Sequence, residues 1–240
     1  MQSPDHLQLF AERPWGARLW LRLSYWLVGL FLHVTARVQI QGWEHLPSQG
    51  GVVLASNHIS LLDTLLIPYS VMATHGVQIV WAPAKVELFE LPVVGRVIAS
   101  WGAFPVRRGR GDRLAIRRLV DHMRVGKVML FPEGTRSRDG RLGEGKRTVG
   151  KLLYETRPTI VPTVVWGTNR VYPKGRYLPH WRHAIGVCYG EPLDMQTLYG
   201  RPNTKETAEA IVKEVMAAIA LLSKTIEQRD VEAASCRMPL

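Results

Sequence analysis

Four apolar runs, each closed by a turn, constrain this chain more than any other feature: GVVLASN (51–57), VQIVWAPA (77–84), KVMLFPEG (127–134) and TIVPTVVWG (159–167). A strand with one wet face alternates apolar and polar side chains, whereas a run without alternation belongs to a strand covered on both faces. Further strand patterns occur at RVQIQGWEHLP (37–47), which reads as a short edge strand, at GAFPVRR (102–108), which is cut by a proline, and at HAIGVCYGEPL (183–193). Helical patterns lie between them at LLDTLLIPYSVM (61–72), with Leu61, Leu65 and Leu66 directed inward, at LPVVGRVIAS (91–100) and from about Asp112 to Val125. A last helix from Thr204 to about Glu227 places Ala208, Ile211, Val212, Val215, Ile219 and Leu222 on one face, with Thr204 as its cap. Strands alternating with helices predict an α/β fold, a central mixed, largely parallel sheet flanked by helices. Its ligand site is expected beyond the carboxyl ends of the strands.

The 240 residues, 46% of them hydrophobic, suffice for one compact domain over 37–240. Residues 1–36 read as a separate helical segment. ARLWLRLSYWLVGLFLHVTAR (17–37) is strongly apolar, but Arg22 and His33 leave ten uninterrupted residues between them, where a membrane span needs about 20. Arg18, Arg22, Tyr25, Gly29, His33 and Arg37 make a narrow polar stripe on a helix, opposite a broad apolar face, and Trp15, Trp20 and Trp26 suit the headgroup boundary. The pattern predicts an amphipathic helix on a membrane surface, monotopic or peripheral, at the cytoplasmic face. The rival is a helix buried on the protein's own core; an arginine inside the apolar region argues against a cleaved signal peptide.

The net charge is +11, and it is concentrated: from Arg96 to Lys151 there are fifteen Lys or Arg against five Asp or Glu. Such a surplus attracts anions, whether nucleic acid, anionic lipid or a phosphorylated small molecule. Nucleic acid fits least well, because the basic stretch is threaded with buried-type strands and lacks interleaved aromatic residues. Cys188 and Cys236 make no disulfide framework, which points to a reducing compartment, and no two-histidine metal motif is present.

Three clusters carry chemistry. In SNHISLLD (56–63), His58 follows a buried strand on a strand-to-helix turn, and five positions let Asp63 fold back onto the imidazole. Histidine accepts a proton near neutrality, and a carboxylate on its second nitrogen fixes the tautomer and stabilises the charged form. By itself the pair also fits a bland reading, in which Asn57 caps a helix and Asp63 is solvated. In FPEGTRS (131–137), Gly134 frees the backbone, Glu133 can hold a cation or hydroxyl, and Arg136 offers a planar fork for phosphate oxygens. Glu133 and Arg136 as a surface ion pair is the alternative. GAFPVRRG (102–109) adds Arg107 and Arg108, of which only one can face the crevice from an extended segment.

NHISLLD, GAFPVRR, FPEGTRS and IVPTVVWG, in this order, resemble the four motifs of the glycerolipid acyltransferases, the bacterial lysophosphatidic acid acyltransferase branch in particular, over about 37–193. The resemblance implies that His58 is the base and Asp63 its orienting partner, and that Arg108, Glu133, Gly134, Thr135 and Arg136 bind a phosphorylated acceptor. Lys85 matches a lysine of this branch and is implied to reach the phosphate as well; Pro162 is implied to shape an acyl-binding wall. The second motif departs from the pattern, with Pro105 where an aromatic residue is usual and Phe104 one position earlier. The implied reaction moves a fatty acyl group from acyl-CoA or acyl-ACP to a lysophospholipid, 1-acyl-sn-glycerol 3-phosphate above all, at a membrane surface, with acyl carrier protein as a possible partner and neither metal nor other cofactor. Lyso-ornithine lipid or glycerol 3-phosphate as acceptor, and a non-catalytic basic lipid- or nucleic-acid-binding protein, are the competing readings.

Overall fold

The computed structural model describes residues 14–107, 112–137, 139–173, 180–181 and 183–235. Seven strands, β1 (Ala36–Gln41), β2 (Val52–Ser56), β3 (Val80–Lys85), β4 (Ala103–Val106), β5 (Lys127–Leu130), β6 (Thr159–Trp166) and β7 (His183–Tyr189), form one sheet in the order β1-β7-β6-β2-β5-β3-β4. β6, β2, β5, β3 and β4 are parallel, β7 is antiparallel to β6, and β1 pairs parallel with β7 at the edge. Five carboxyl ends therefore lie along one rim of the sheet, and the chemistry-bearing motifs follow four of them.

β2 and β5 are buried at every position, as runs without alternation require. Alternate residues serve two cores. Val53, Ala55, Val128 and Leu130 meet α4 (Arg113–Val125), α5 (Arg147–Thr156) and α8 (Lys205–Ser235). Val52, Leu54 and Met129 face the opposite side with α2 (Asp63–His75). α1 (Trp15–Thr35) and α3 (Pro92–Ser100) lie on that second side, joined by a hydrogen bond from Trp101 Nε1 to Ser24 Oγ at 2.8 Å. Thr204 does cap α8, its Oγ1 accepting from the Thr207 amide at 3.2 Å, and the expected face of α8 is the one that packs.

Three elements depart from the sequence pattern. In α2, Leu62 and Leu66 are the buried leucines while Leu61 and Leu65 are half-buried, because the helix begins only at Asp63 and its phase is set there. α5 has no counterpart in the pattern. It lacks a capping side chain and carries Gly150 in its middle, where a Cβ would strike the Ala208 carbonyl of α8; close helix packing was chosen over helix propensity. In α1, part of the polar stripe faces protein rather than water. Tyr25 stacks on Tyr69 of α2 at 5.3 Å, His33 Nε2 lies 3.1 Å from the Tyr69 hydroxyl, and a Cβ at Gly29 would come within 2.8 Å of the Tyr69 ring. The apolar side of α1 is left outward, with Trp15, Trp26 and Leu30 each more than 60% exposed. None of the described helices is long and apolar enough to cross a membrane.

The short helices α6 (Thr168–Val171) and α7 (Gln196–Tyr199) complete the described chain.

Candidate active site

The turn after β2 is organised around one carboxylate. Asp63 is fully buried, and its Oδ2 accepts from His58 Nδ1 at 2.9 Å, from the Ile59 amide at 2.7 Å and from the Ser60 amide at 2.8 Å. Accepting from Nδ1 makes that nitrogen the protonated one and leaves Nε2 as the lone-pair nitrogen. The ring stacks face to face on Phe131, with centroids 3.9 Å apart, and among the described residues Nε2 has no hydrogen-bond partner. A base with one side fixed, one face covered and one nitrogen open can take a proton from an incoming hydroxyl.

Asn57 does not cap a helix. Its side-chain amide pairs both ways with the Val165 backbone of β6, at 2.9 and 2.8 Å, which extends the sheet one step past β2 and aims the next residue, His58, outward. Asp63 is likewise not solvated.

The turn after β5 closes on the same spot. Glu133 is buried, its Oε1 accepting from the His58 amide at 3.3 Å and its Oε2 from the Gly143 amide at 2.9 Å. Its described contacts are with backbone amides, and it forms no ion pair with Arg136. The Ser137 amide donates to the His58 carbonyl at 2.7 Å, binding the two turns together. Gly134 has a φ of 70°, left-handed, and a Cβ there would meet Lys146 Nζ at 2.7 Å. The Lys146 ammonium thus lies over Gly134 in this turn. Lys85 is the last residue of β3, exposed at the same rim. Among the described residues Lys85, Arg136 and Lys146 have no ion-pair partner. Arg107 follows β4 at this rim, whereas Arg108 lies outside the described residues.

An apolar cleft opens beside His58, walled by Leu65 and Pro68 of α2, Leu88, Ile98 of α3, Met129 of β5 and Phe131. Phe131 belongs to both, covering the His58 ring and lining the cleft. Pro162 is buried within β6 and is not part of this wall, which lies instead on the side of β3 and β4.

The stretch 37–166, more than half of the chain, matches the family model described as Acyltransferase. The chain belongs to the acyltransferase family. This acyltransferase is 31% identical over 163 residues to the chloroplastic 1-acyl-sn-glycerol-3-phosphate acyltransferase LPAT1 of Arabidopsis thaliana, covering 66% of the chain and 42% of the relative. It is 25% identical over 204 residues to the 1-acyl-sn-glycerol-3-phosphate acyltransferase of Bacillus subtilis, covering 83% and 94%. Its fold is similar to the crystal structure of the 1-acyl-sn-glycerophosphate (LPA) acyltransferase PlsC from Thermotoga maritima, with a TM-score of 0.61 and 26% identity over 92% of this chain and 81% of the other. The chain spans less than half the length of the chloroplast relatives, 42% and 44%.

Three residues around this site were not singled out by sequence: Phe131, which covers His58, Lys146, which lies over Gly134, and Thr168. Thr168 is buried just past β6 and donates its hydroxyl to Asp63 Oδ1 at 2.5 Å, across 105 positions of chain. No local pattern announces a contact of that range. The F of FPEGTRS was visible as a strand end, but its stacking partner was not.

Proposed function

We propose that the protein transfers a fatty acyl group from an acyl thioester, carried by coenzyme A or acyl carrier protein, to the free hydroxyl of 1-acyl-sn-glycerol 3-phosphate, forming phosphatidic acid. The observation that carries this reading is the open Nε2 of His58, on the rim of the sheet that also carries an apolar cleft and cations without an ion-pair partner among the described residues. An acyl chain suits the first and a phosphomonoester the second. The relatives' names agree with that choice of acceptor.

In the reaction, His58 Nε2 takes the proton of the acceptor hydroxyl as its oxygen attacks the thioester carbonyl. The imidazolium so formed is stabilised by the Asp63 carboxylate on Nδ1. The tetrahedral intermediate then expels the thiolate, which recovers the proton from Nε2, so that an O-acyl bond replaces an S-acyl bond and the protein returns to its starting state. A positioned base of this kind contributes about 10² to 10⁴ in rate. Arg136, Lys85 and Lys146 hold the phosphate and thereby orient the hydroxyl, converting a collision into a bound encounter. Glu133 braces the amide of His58 and the loop that carries Arg136 and Lys146 rather than touching the phosphate.

The outward face of α1, together with the exposed Leu91, Val93 and Val94 beside the cleft, is the surface that meets the cytoplasmic leaflet. Its tryptophans sit at the headgroups, and the acyl cleft lies close to the lipid from which the acceptor comes.

Acyl transfer by purified protein in mixed micelles, with a labelled acyl thioester and a panel of acceptors, tests the reading. Turnover with 1-acyl-sn-glycerol 3-phosphate and at least about tenfold less with the glycerol or choline analogues is expected, since a charge-assisted phosphate contact is worth about 1.5–3 kcal/mol. Equal rates on acceptors with and without a phosphomonoester would overturn it.

A further inference from the structure

We infer that Thr168 is a positioning residue of the acyl-transfer site, holding the Asp63 carboxylate in the orientation that orders the His58 imidazole. The inference rests on the reading of His58 as the base. It concerns a residue two positions beyond the stretch that matches the family model, which ends at 166.

The two oxygens of Asp63 are unequally supplied. Oδ2 receives three N–H donors, all from the turn 58–60. Oδ1 receives one, the hydroxyl of Thr168. Both Asp63 and Thr168 are sealed from water, so no solvent takes over if the hydroxyl is removed. A carboxylate held at one oxygen alone can turn about its Cβ–Cγ bond, and a buried oxygen left without a donor costs free energy. The Thr168 donor meets both needs by fixing the plane of the carboxylate and satisfying its second oxygen from the side opposite the imidazole.

The fold brings the threonine there deliberately in a structural sense. Gly167 turns the chain with a left-handed φ of 73°, where a Cβ would strike the Ala184 carbonyl, and the next residue drops onto Asp63. At the other end of α6, Ser60 Oγ donates to the Tyr172 carbonyl at 2.9 Å. The segment after β6 is therefore tied to the turn after β2 at two points, and only one of them touches the carboxylate. Thr168 reaches neither the cleft nor the cation rim by any described contact, so its effect must pass through Asp63 and His58.

The test compares Thr168→Val, which keeps the shape and loses the hydroxyl, with Thr168→Ser, which loses the methyl and keeps the donor. Thr168→Val is expected to lower kcat by about tenfold, less than the roughly 10² or more expected for loss of the base itself, while the KM values for acceptor and thioester stay within about twofold. Thr168→Ser is expected to restore kcat to within about threefold of the parent. The proton signal of His58 Nδ1–H, identified by its loss in His58→Ala, should shift in Thr168→Val and return in Thr168→Ser. A parental kcat in Thr168→Val, a fall in kcat shared equally by Thr168→Ser, or a change confined to KM and melting temperature would each overturn the assignment. Should Thr168→Val fail to fold, Thr168→Ala takes its place against Thr168→Ser with the same readings required. His58→Ala measured alongside separates the two levels: retained turnover there removes the base, whereas an inactive His58→Ala with a fully active Thr168→Val removes only the role of Thr168.

Discussion

The two rims of the sheet use the same kinds of residue to opposite ends. At the amino-terminal rim, Lys127 opens β5 fully buried, its Nζ donating to the Ser48 carbonyl at 3.1 Å, and His75 Nε2 lies 3.2 Å from the Leu46 carbonyl. Cation and imidazole there fasten the loop before β2 to β5 and to the end of α2. At the carboxyl-terminal rim, Lys85, Arg136 and Lys146 have no ion-pair partner among the described residues, and His58 is fixed at one nitrogen and open at the other. A charge that is spent on the fold holds the protein together; one held in place but left unspent is available to a substrate. The difference arises from connectivity, since parallel crossovers bring the carboxyl ends of β2, β3, β4, β5 and β6 to the second rim and leave it open as a crevice.

Substitutions at the two rims should therefore separate stability from turnover. The largest effect is expected for His58→Ala: kcat falls by at least about 10² in a protein that still unfolds cooperatively, with a melting temperature lowered by loss of the Phe131 stack and the Asp63 hydrogen bond. Arg136→Ala comes next, raising the acceptor KM by about tenfold or more, as expected from the loss of a charge-assisted contact, with the thioester KM unaltered in the same steady-state assay. Lys127→Met should show the converse, a loss of about 1–3 kcal/mol in denaturant unfolding from an orphaned carbonyl and a parental kcat. A fall in kcat for Lys127→Met without a fall in stability would erase the distinction between the rims.

The smallest expected effect is on pH dependence. Burial holds His75 below its ordinary value, helped by the nearby Lys127 charge, and burial does the same to His122, which stacks on Trp81 at 3.6 Å. A histidine whose value is depressed in the folded state binds its proton more readily when unfolded. Its contribution to stability is thus complete above the ordinary value of 6.5 and is lost as the pH falls below it. The melting temperature should decline from pH 7 towards pH 5, and His122→Phe, which keeps a stacked ring without a titrating group, should make the decline shallower.

Much of the scaffold was legible because its signals are local. Continuous apolar runs marked β2 and β6, the 3.6-residue period marked α4 and α8, and the edge position of β1 followed from its alternation. The pairing of His58 with Asp63 was legible for the same reason, five residues apart on one turn. What escaped was decided by neighbours distant in the chain. Gly150 hid α5 because its benefit lies in α8. Nothing local gave the polar stripe of α1 its partner, because Tyr69 is more than thirty residues away.

Residue order alone settled the alternation of strands and helices, the rim on which the chemistry collects and the pair at its centre, since each depends on side chains within a turn or two of one another. Tertiary structure alone decided that Glu133 braces the amide of His58, that Phe131 covers its ring and that Thr168 supports Asp63 from across the sheet. These contacts join segments 73 to 105 positions apart, and only the crossover order of the parallel strands determines which distant turns meet at one rim.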